Sequence, residues 1–467
     1  MDEHSLNTIV TLSGSSGVGK TTLSELISLV IGPDKVVNLC GDDLHLWERN
    51  DENWKNTTHL NPESNNIEGG YQDLISLSNN NPIKRCRYNH DTGKFDPPEL
   101  IEPKSYIVYE GLHALFGDVN EISDIKIFVE TDKGLKRQWK MNRDTQKRGY
   151  TVEQVEDTLD RREKDELLYI QPQKENADAV VRFEEKKDRT VHLEYTAQTD
   201  KSLKLLERVK RLYDMHREFL SLCKKTSFEY DLVQHGGGNV SYKFEDKIII
   251  TSSGRDMSEV LMLDGFSACD SNGCSIDESR ERPSMEVKLH TKIKWPVVFH
   301  THPIYLNTIL CSEQSEEIIS KILKEYDYDY VPYVTPGESL SNIFDISLML
   351  GKISQENKII LLENHGLICS GSSFIEVFDN SLRVNQLCKE WLIKNSKAFK
   401  TFSKVEFDKP VGFLFPDAVI LKDKMQNLNQ YMTYIQGDVG LTPRFLCDNE
   451  VEKLLSMEEE KYRMGVL

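Results

Sequence analysis

A glycine-rich run near the start of the chain constrains its fold more than any other feature. It lies between an apolar, β-branched segment, Leu6–Leu12, and a helical pattern, Thr21–Val30. Glycines in this setting let backbone N–H groups surround a phosphate, and the helix adds positive potential at its N-terminus. The order strand, loop, helix predicts a nucleotide site, with Lys20 on the β- and γ-phosphates and Thr21 on Mg²⁺. The run fits GxxxxGK[ST] and consists of Gly14, Ser15, Ser16, Gly17, Val18, Gly19, Lys20 and Thr21.

Strand-like and helical segments alternate through the first two fifths of the chain. This alternation is typical of an α/β fold with a mainly parallel sheet and helices on both faces. The predicted strands are Leu6–Leu12, Val36–Cys40, Tyr106–Tyr109, Ile125–Val129 and Ala179–Phe183, and the predicted helices are Thr21–Val30, Lys133–Lys147 and Val152–Leu168.

The second half begins after two polar stretches, Glu184–Arg189 and Thr196–Lys201, which indicate a junction. A charged amphipathic helix, Lys201–Cys223, is predicted next, followed by a further α/β alternation that ends in the helix Ser373–Lys394. We therefore predict domains at residues 1–197 and 198–397, with an extension, 398–467, packed on the second. The extension mixes strand-like and helical pieces, and we assign it no chemistry.

Composition excludes some classes of partner. Over 467 residues, 58 basic and 76 acidic side chains leave a net charge of −18. An acidic surface argues against nucleic acid or an anionic membrane as the main partner, and no apolar run reaches the length of a membrane span. Nine cysteines occur without a CxxC pair, which favours free thiols. We expect a cytoplasmic protein without disulfides.

Three histidines in the second half predict a metal site. Val297–His302 is β-branched and aromatic, so it is predicted as a strand on which His300 and His302 point to one face. His365, in the sequence Asn-His-Gly, can add a third nitrogen from a neighbouring loop. Three imidazoles leave a coordination position open, as in catalytic rather than structural zinc sites. Glu286 is the nearest candidate carboxylate for proton transfer.

The first half resembles the phosphoribulokinase/uridine kinase family over about residues 5–185. The similarity lies in Gly41–His45, Tyr109–His113 and Arg143–Thr151, together with the segments Tyr88–Gly93, Asp96–Leu100 and Tyr169–Gln173. It implies a P-loop NTPase domain that uses ATP and Mg²⁺ to phosphorylate a small molecule.

The kinase resemblance also implies roles for individual residues. Asp42 would accept the proton of the substrate hydroxyl, and Glu110 would hold the magnesium–nucleotide. Asp42 follows a predicted strand at its carboxyl end, where ligands gather in open α/β sheets, although either Asp42 or Asp43 could instead cap a helix. Asn53 departs from the family, since a lysine is expected near it, and this favours a sugar or polyol other than ribulose 5-phosphate. The implied substrate-binding residues are His45, Arg49, His90, Arg143 and Arg148.

The second half resembles the class II aldolase/adducin family over about residues 203–396. The similarity lies in Gly236–Ser241, Ile250–Gly254, Pro283–Glu286, Pro332–Gly337 and Glu363–Leu367. It implies an α/β domain whose central sheet is flanked by helices.

By this resemblance Glu286 moves the proton, and Met285 stands where the family has a serine in its phosphate site. The implied ligands of Zn²⁺, or a similar divalent metal, are His300, His302 and His365; the implied phosphate-binding residues are Asn239, Ser253, Gly254 and Ser284.

Together the two halves predict a bifunctional carbohydrate enzyme. An ATP-dependent kinase would phosphorylate a ketose or related sugar, and a zinc-dependent domain would cleave a sugar phosphate by a retro-aldol reaction. The alternatives for the metal domain are a sugar-phosphate epimerase, dehydratase or decarboxylase, or a non-catalytic oligomerisation module. The expected partners are sugars and sugar phosphates, and we expect a homo-oligomer, a tetramer formed through the aldolase-like domain.

Overall fold

The computed structural model describes residues 7–146, 149–399 and 412–465. The chain divides into two compact units, Met1–Met215 and His216–Leu467. Within the described ranges, no helix combines the length and the apolar character needed to cross a membrane. All nine cysteines fall in those ranges and are free thiols.

The first unit contains a six-stranded sheet with the strand order β10-β9-β8-β1-β7-β2. Its neighbours pair in parallel except β10, which is antiparallel to β9. The sheet is therefore mainly parallel, as predicted. The strands of this unit are β1 (Thr8–Ser13), β2 (Val36–Cys40), β3 (Ile83–Arg85), β4 (Tyr88–Asn89), β5 (Lys94–Phe95), β6 (Glu99–Ile101), β7 (Tyr106–Gly111), β8 (Ile125–Thr131), β9 (Ala179–Glu185) and β10 (Val191–Ala197).

Helices flank this sheet, and α2 and α5 begin at a side-chain cap. Thr151 and Gln154, for example, form a reciprocal capping box at the start of α5. The apolar side of α2 packs on the sheet, where Leu74 and Leu77 contact Ile107 and its neighbours in the core. The helices are α1 (Lys20–Ile31), α2 (Ile67–Ser78), α3 (Asp118–Ile122), α4 (Lys133–Gln146), α5 (Val152–Asp165) and α6 (Asp200–Thr226).

The polar stretch Glu184–Arg189, predicted to be a junction, is instead the end of β9 and the turn to β10. Lys186 and Thr190 close this turn with a backbone hydrogen bond of 2.8 Å. The prediction was wrong because a solvent-exposed hairpin turn and a linker have the same polar composition.

The second unit contains a seven-stranded sheet with the strand order β13-β12-β11-β14-β17-β16-β15. Every pair is antiparallel except β15 with β16. The strands are β11 (Asn239–Phe244), β12 (Lys247–Thr251), β13 (Phe266–Cys269), β14 (Val297–Thr301), β15 (Asp329–Val331), β16 (Ile359–Leu362) and β17 (Gly366–Gly371).

The helices of the second unit cover this sheet. Val298, Ile360 and Ile368 of the sheet pack against Leu289 and Phe344 in one apolar core. The described part of the C-terminal segment is helical, without the strand-like pieces that we predicted. The helices are α7 (Val287–Lys292), α8 (Ile304–Leu310), α9 (Ser315–Ile322), α10 (Glu338–Met349), α11 (Phe374–Asn395), α12 (Pro416–Ile420), α13 (Lys422–Val439), α14 (Asp448–Ser456) and α15 (Glu458–Arg463).

Candidate functional sites

The glycine-rich run of the first unit connects β1 to α1. Gly14 has φ 151° and runs so close to β8 that an added Cβ would lie 2.2 Å from the carbonyl oxygen of Val129. Gly19, with φ 95°, precedes the first residue of α1 in the left-handed region. Only glycine tolerates both conditions. The loop therefore turns its backbone toward the start of the helix, as a phosphate site requires.

Lys20 and Thr21, at the end of the glycine-rich run, lie near the carboxylate of Glu110 on the neighbouring strand β7. The Lys20 ammonium donates to the carbonyl oxygens of Gly14 and Ser15, each at 2.9 Å. The Thr21 hydroxyl donates to Glu110 at 3.2 Å. Burial lowers the pKa of Lys20 and raises the pKa of Glu110 to about 7. These groups form a compact polar cluster. A bound magnesium–nucleotide would stabilise it, because its phosphates would pair with Lys20 and its Mg²⁺ with Glu110.

Asp42 lies at the end of β2 beside two histidines. Its carboxylate oxygens are 3.3 Å from Nε2 of His90 and 3.8 Å from Nε2 of His45. Burial opposes ionisation of Asp42, but the hydrogen bond from His90 and the charges of both histidines and of Lys20 hold its pKa well below the usual range. The Asp42 carboxyl is therefore ionised.

The adjacent carboxylate, Asp43, has a different environment. It accepts a hydrogen bond from the backbone N–H of Tyr88 at 2.8 Å and lies 3.4 Å from Nε of Arg85. The short helix Gly41–Leu44 begins after Cys40 without a side-chain cap, so neither aspartate serves as the helix cap considered from the sequence. Asp43 instead anchors the segment that carries Asp42.

One cavity of about 560 Å³ joins most of the predicted kinase residues. Gly14, Ser15 and Val18 build the loop but do not line this cavity, and Arg148 lies outside the described residues. The predicted residues that line it are Ser16, Gly17, Gly19, Lys20, Thr21, Asp42, His45, Arg49, His90, Glu110 and Arg143.

Sequence analysis missed the cations that α5 contributes to this cavity. Arg161 and Arg162 line it, and Nη2 of Arg162 lies 3.0 Å from Nδ1 of His59. The His59 ring stacks on Trp54 with their centroids 3.7 Å apart. The signal was present, since Thr158 and Arg162 share one helical face at the spacing i, i+4.

In the second unit the three predicted histidines converge in the protein interior. Their ligand atoms lie within 4.8 Å of one another, and all three side chains are buried. Nε2 of His300 is 2.9 Å from Nε2 of His302. Each of these rings uses Nδ1 elsewhere, His300 with the carbonyl oxygen of Leu367 at 3.0 Å and His302 with Asp417 at 2.6 Å.

That geometry fits a metal ion. When each Nδ1 carries the proton, the two Nε2 lone pairs of His300 and His302 face each other, and a shared metal ion would remove their repulsion. Burial lowers the pKa of His300 to about 4 and that of His365 to about 3, which keeps both imidazoles neutral and able to coordinate. The donor set suits zinc or a similar borderline divalent ion.

Glu286 lies immediately before α7 and faces the histidines. Its carboxylate oxygens are 3.3 Å from Nε2 of His300 and 3.5 Å from Nε2 of His365. The Asn239 amide donates to it at 2.8 Å. Burial opposes ionisation, but the two histidines and Asn239 lower the pKa of Glu286 to about 2. Glu286 can therefore bind a metal or carry a proton in this site.

Backbone close to the site leaves no space for a side chain at Gly366. A Cβ there would lie 2.4 Å from the carbonyl oxygen of Thr301 and 2.9 Å from Cδ2 of His302. Glycine thus allows the turn that carries His365 to pack directly on the histidine strand.

A small cavity of about 30 Å³ adjoins the histidines. The four predicted phosphate-binding residues line it, as do four residues of the C-terminal segment. We assigned that segment no chemistry from the sequence, because no local pattern marks Asp417, which lies 115 positions from its partner His302. Its lining includes Asn239, Ser253, Gly254, Ser284, Glu286, His302, His365, Asp417, Glu460 and Arg463.

Comparison with known proteins gives a family for each unit. Residues 9–190 match the Phosphoribulokinase / Uridine kinase family, and residues 217–392 match the Class II Aldolase and Adducin N-terminal domain. The phosphoribulokinase of Synechocystis is 34% identical and covers 37% of this chain and 52% of its own. The uridine kinase of Borreliella burgdorferi is 30% identical and covers 37% of this chain and 85% of its own.

The chain spans about half the length of the phosphoribulokinases that it matches. Among solved structures, the N-terminal class II aldolase domain of a conserved protein from Thermoplasma acidophilum is 20% identical, with a TM-score of 0.33, and covers 38% of this chain and 92% of its own. The chain belongs to the phosphoribulokinase/uridine kinase family through its first unit. Its second unit matches the class II aldolase/adducin family model over residues 217–392.

Proposed function

We propose that the chain is a bifunctional carbohydrate enzyme. The first unit transfers the terminal phosphoryl group of ATP to a hydroxyl of a ketose or related sugar, and the second cleaves a sugar phosphate by a metal-dependent retro-aldol reaction. The proposal depends on how the predicted residues of each unit come together. Most of the predicted kinase residues line one cavity. The three histidines and Glu286 meet at one buried point in the second unit.

In the kinase reaction, Asp42 accepts the proton of the attacking hydroxyl as the new oxygen–phosphorus bond forms and the bond to ADP breaks. The His90 contact at 3.3 Å keeps Asp42 ionised beforehand. Lys20 and Arg143 balance the charge of the moving group, since phosphoryl transfer depends mainly on positioning and on neutralising charge. Thr21 and Glu110 would hold Mg²⁺, which supplies further positive charge when bound.

In the cleavage reaction, Glu286 moves the proton at the carbon where the carbon–carbon bond breaks. A divalent metal, for which we propose Zn²⁺, would supply a Lewis acid at His300, His302 and His365 for the charge that develops on substrate oxygens. Asn239 orients Glu286 through its 2.8 Å hydrogen bond. The hydroxyl of Ser284 and the backbone at Gly254 line the cavity where the substrate phosphate would bind.

The proposal is tested by incubating the protein with ATP and a panel of ketoses while sugar phosphate, ADP and aldehyde are measured. We expect ADP and sugar phosphate to form first and an aldehyde to follow. Epimerisation, dehydration or decarboxylation would give other products from the same phosphorylated sugar. Sugar phosphate that persists unchanged would support a non-catalytic second unit.

Lys20→Ala separates the two activities. The variant should lose ATP-dependent phosphorylation, because it removes the ammonium that lies at the loop carbonyls of Gly14 and Ser15, and it should still cleave sugar phosphate that is supplied directly. Lys133→Ala is the matched control, since Lys133 is in the same unit and its side chain is 98% exposed. A parallel loss of cleavage in Lys20→Ala would contradict independent active sites.

A further inference from the structure

The C-terminal segment supplies a carboxylate directly behind one of the metal-site histidines. Asp417, in the first turn of α12, is 1% exposed. Its Oδ2 lies 2.6 Å from Nδ1 of His302. Residue 417 is beyond the range 217–392 that matches the aldolase family. The match to that family therefore does not account for this contact.

A buried carboxylate is costly unless it is paired and hydrogen-bonded. Asp417 has both kinds of partner, because Oδ1 lies 3.0 Å from Nη2 of Arg463 while Oδ2 accepts from His302. The geometry therefore makes Asp417 the acceptor for the Nδ1 proton of His302.

The neighbouring residues are arranged around this carboxylate. Arg463, at the end of α15, also pairs with Glu460 one turn earlier at 3.0 Å; Glu460 is buried and Arg463 is partly exposed. An added Cβ at Gly237 would lie 2.6 Å from Oδ2 of Asp417 and 3.0 Å from Nδ1 of His302. The glycine turn therefore leaves the space that the Asp417–His302 contact occupies.

We propose that Asp417 is a positioning residue of the metal site, which fixes the tautomer and orientation of His302, and that Arg463 holds Asp417 in place. With its Nδ1 proton donated to Asp417, His302 presents the Nε2 lone pair toward Nε2 of His300, 2.9 Å away. A carboxylate behind a metal-binding imidazole raises its basicity and restricts its rotation. This inference rests on the proposed metal site.

The test is the affinity of the full-length protein for Zn²⁺, measured by competition with a chromophoric chelator. Asp417→Asn keeps the shape of the side chain but removes its charge, and we expect roughly a 10- to 100-fold loss of affinity. Arg463→Met keeps the length of the side chain and should lose affinity to a smaller extent. Glu458→Gln is the control, since Glu458 lies on the same helix but pairs on the surface with Arg282 at 3.3 Å.

A purely structural role for the Asp417–Arg463 pair would lower stability without changing the metal geometry. The visible spectrum of the Co²⁺-substituted protein separates the two roles, because it reports the coordination of His302. We expect altered bands in Asp417→Asn and partial recovery in Asp417→Glu.

Each outcome decides a different point. Wild-type protein that binds no Zn²⁺ would end the proposed metal function. Wild-type binding with equal affinity and an equal Co²⁺ spectrum in Asp417→Asn would overturn the positioning role alone. If Asp417→Asn does not fold, the other two variants decide the point. Arg463→Met that folds and has the affinity and Co²⁺ spectrum of the wild type would overturn the role of Arg463. The same result for Asp417→Glu would overturn the role of Asp417.

Discussion

Asp42 and Asp43 are adjacent in sequence but have opposite proton affinities. Burial raises the pKa of Asp43, although the Tyr88 backbone and Arg85 partly oppose that shift. The pKa of Asp42 is instead lowered, because the His90 hydrogen bond and the nearby cations outweigh its burial. A single residue step along the chain therefore separates a base that faces the cavity from a structural anchor.

Asp42→Asn should lose kinase turnover and retain nucleotide affinity. The amide cannot accept the hydroxyl proton, so we expect kcat to fall by a factor on the order of 10²–10⁴. Lys20, Thr21 and the glycine loop are unchanged, so the Kd for ATP, measured by calorimetry, should stay within about twofold. Asp91→Asn, at an exposed site in the same unit, is the control. A large loss of ATP binding would give Asp42 a role in holding the nucleotide or its metal.

Glu286→Gln should separate proton transfer from metal binding. Glutamine keeps the shape and can still meet the Asn239 amide, but it cannot carry the proton. We expect metal content, measured on the purified variant, to be unchanged, while cleavage falls by a factor on the order of 10²–10⁴. Loss of the metal together with activity would make Glu286 mainly a ligand. Unchanged activity would rule it out as the proton carrier.

For individual residues, the sequence predicted those parts of each site whose residues are close together in the chain. His300 and His302 were placed on one face by the two-residue period of a strand, and their Nε2 atoms do meet. Asp417 could not be predicted, because a lone aspartate in a helical segment has no spacing that points to His302. Tertiary packing, not a local pattern, brings the two side chains together.

The turn between β16 and β17 shows how an element is adapted to its site. Asn364 has φ 51° and donates to the carbonyl oxygens of Leu414 and Arg444, each at 2.7 Å. Gly366 then starts β17 against the histidine strand. The two hydrogen bonds of Asn364 to the C-terminal segment, together with the absence of a Cβ at Gly366, thus fix the direction of His365.

Gly366→Ala should therefore weaken metal binding without direct contact to the metal. Its new Cβ would collide with the Thr301 carbonyl oxygen at 2.4 Å, so β17 or β14 must shift. We expect weaker Zn²⁺ binding, together with a loss of stability of about 1–3 kcal/mol, the usual cost of overpacking. Both are measured by chelator competition and urea unfolding.

Gly437→Ala is the matched control for this change. Gly437 lies inside α13 with open space around its Cβ position. Alanine there should leave zinc affinity unchanged and stabilise the helix by about 0.5–1 kcal/mol. Equal zinc affinity in the two variants would show that the sheet absorbs the Gly366→Ala collision.

Element prediction succeeded where apolar periodicity was strong. Val36–Cys40 is a strand with the predicted bounds, and the helix predicted at Lys201–Cys223 extends from Asp200 to Thr226. It failed at the β9–β10 hairpin, because pairing with β9 rather than local composition makes Val191–Ala197 a strand. Long-range pairing of this kind is not encoded in a local pattern.

For the whole molecule, buried neutral histidines predict sensitivity of the second unit to acid. His216 and His290 lie outside the proposed ligand set, and burial lowers the pKa of each from 6.5 to about 3. Below pH 6.5 these histidines bind protons in the unfolded chain but stay neutral in the folded one. Protonation therefore stabilises the unfolded chain, so the free energy of unfolding is highest above pH 6.5 and falls as the pH is lowered. From pH 6.5 to 5, two such groups lose about 4 kcal/mol, comparable to the whole stability of many domains.

Hydrogen exchange of the β14 amides at pH 7, 6 and 5, corrected for intrinsic rates, measures this loss. In wild-type protein we expect the opening free energy to fall by about 4 kcal/mol between pH 6.5 and 5. His290→Gln can keep the contact to Ser241 and should reduce the slope by about half. A slope that is the same in wild type and variant would mean that His290 does not carry the pH dependence.

The small cavity beside the histidines has a kinetic consequence. At about 30 Å³ it holds only about two water molecules, far less than a sugar phosphate. For the proposed cleavage reaction, we expect the start of α15 to move and to exchange the Arg282–Glu458 ion pair for contacts with solvent, while Arg463 at the end of the helix stays paired with Asp417. Association of a sugar phosphate would then depend on this opening and fall well below the diffusion limit. Because the products would leave by the same movement, the opening rate of one six-residue helix would set an upper limit on turnover.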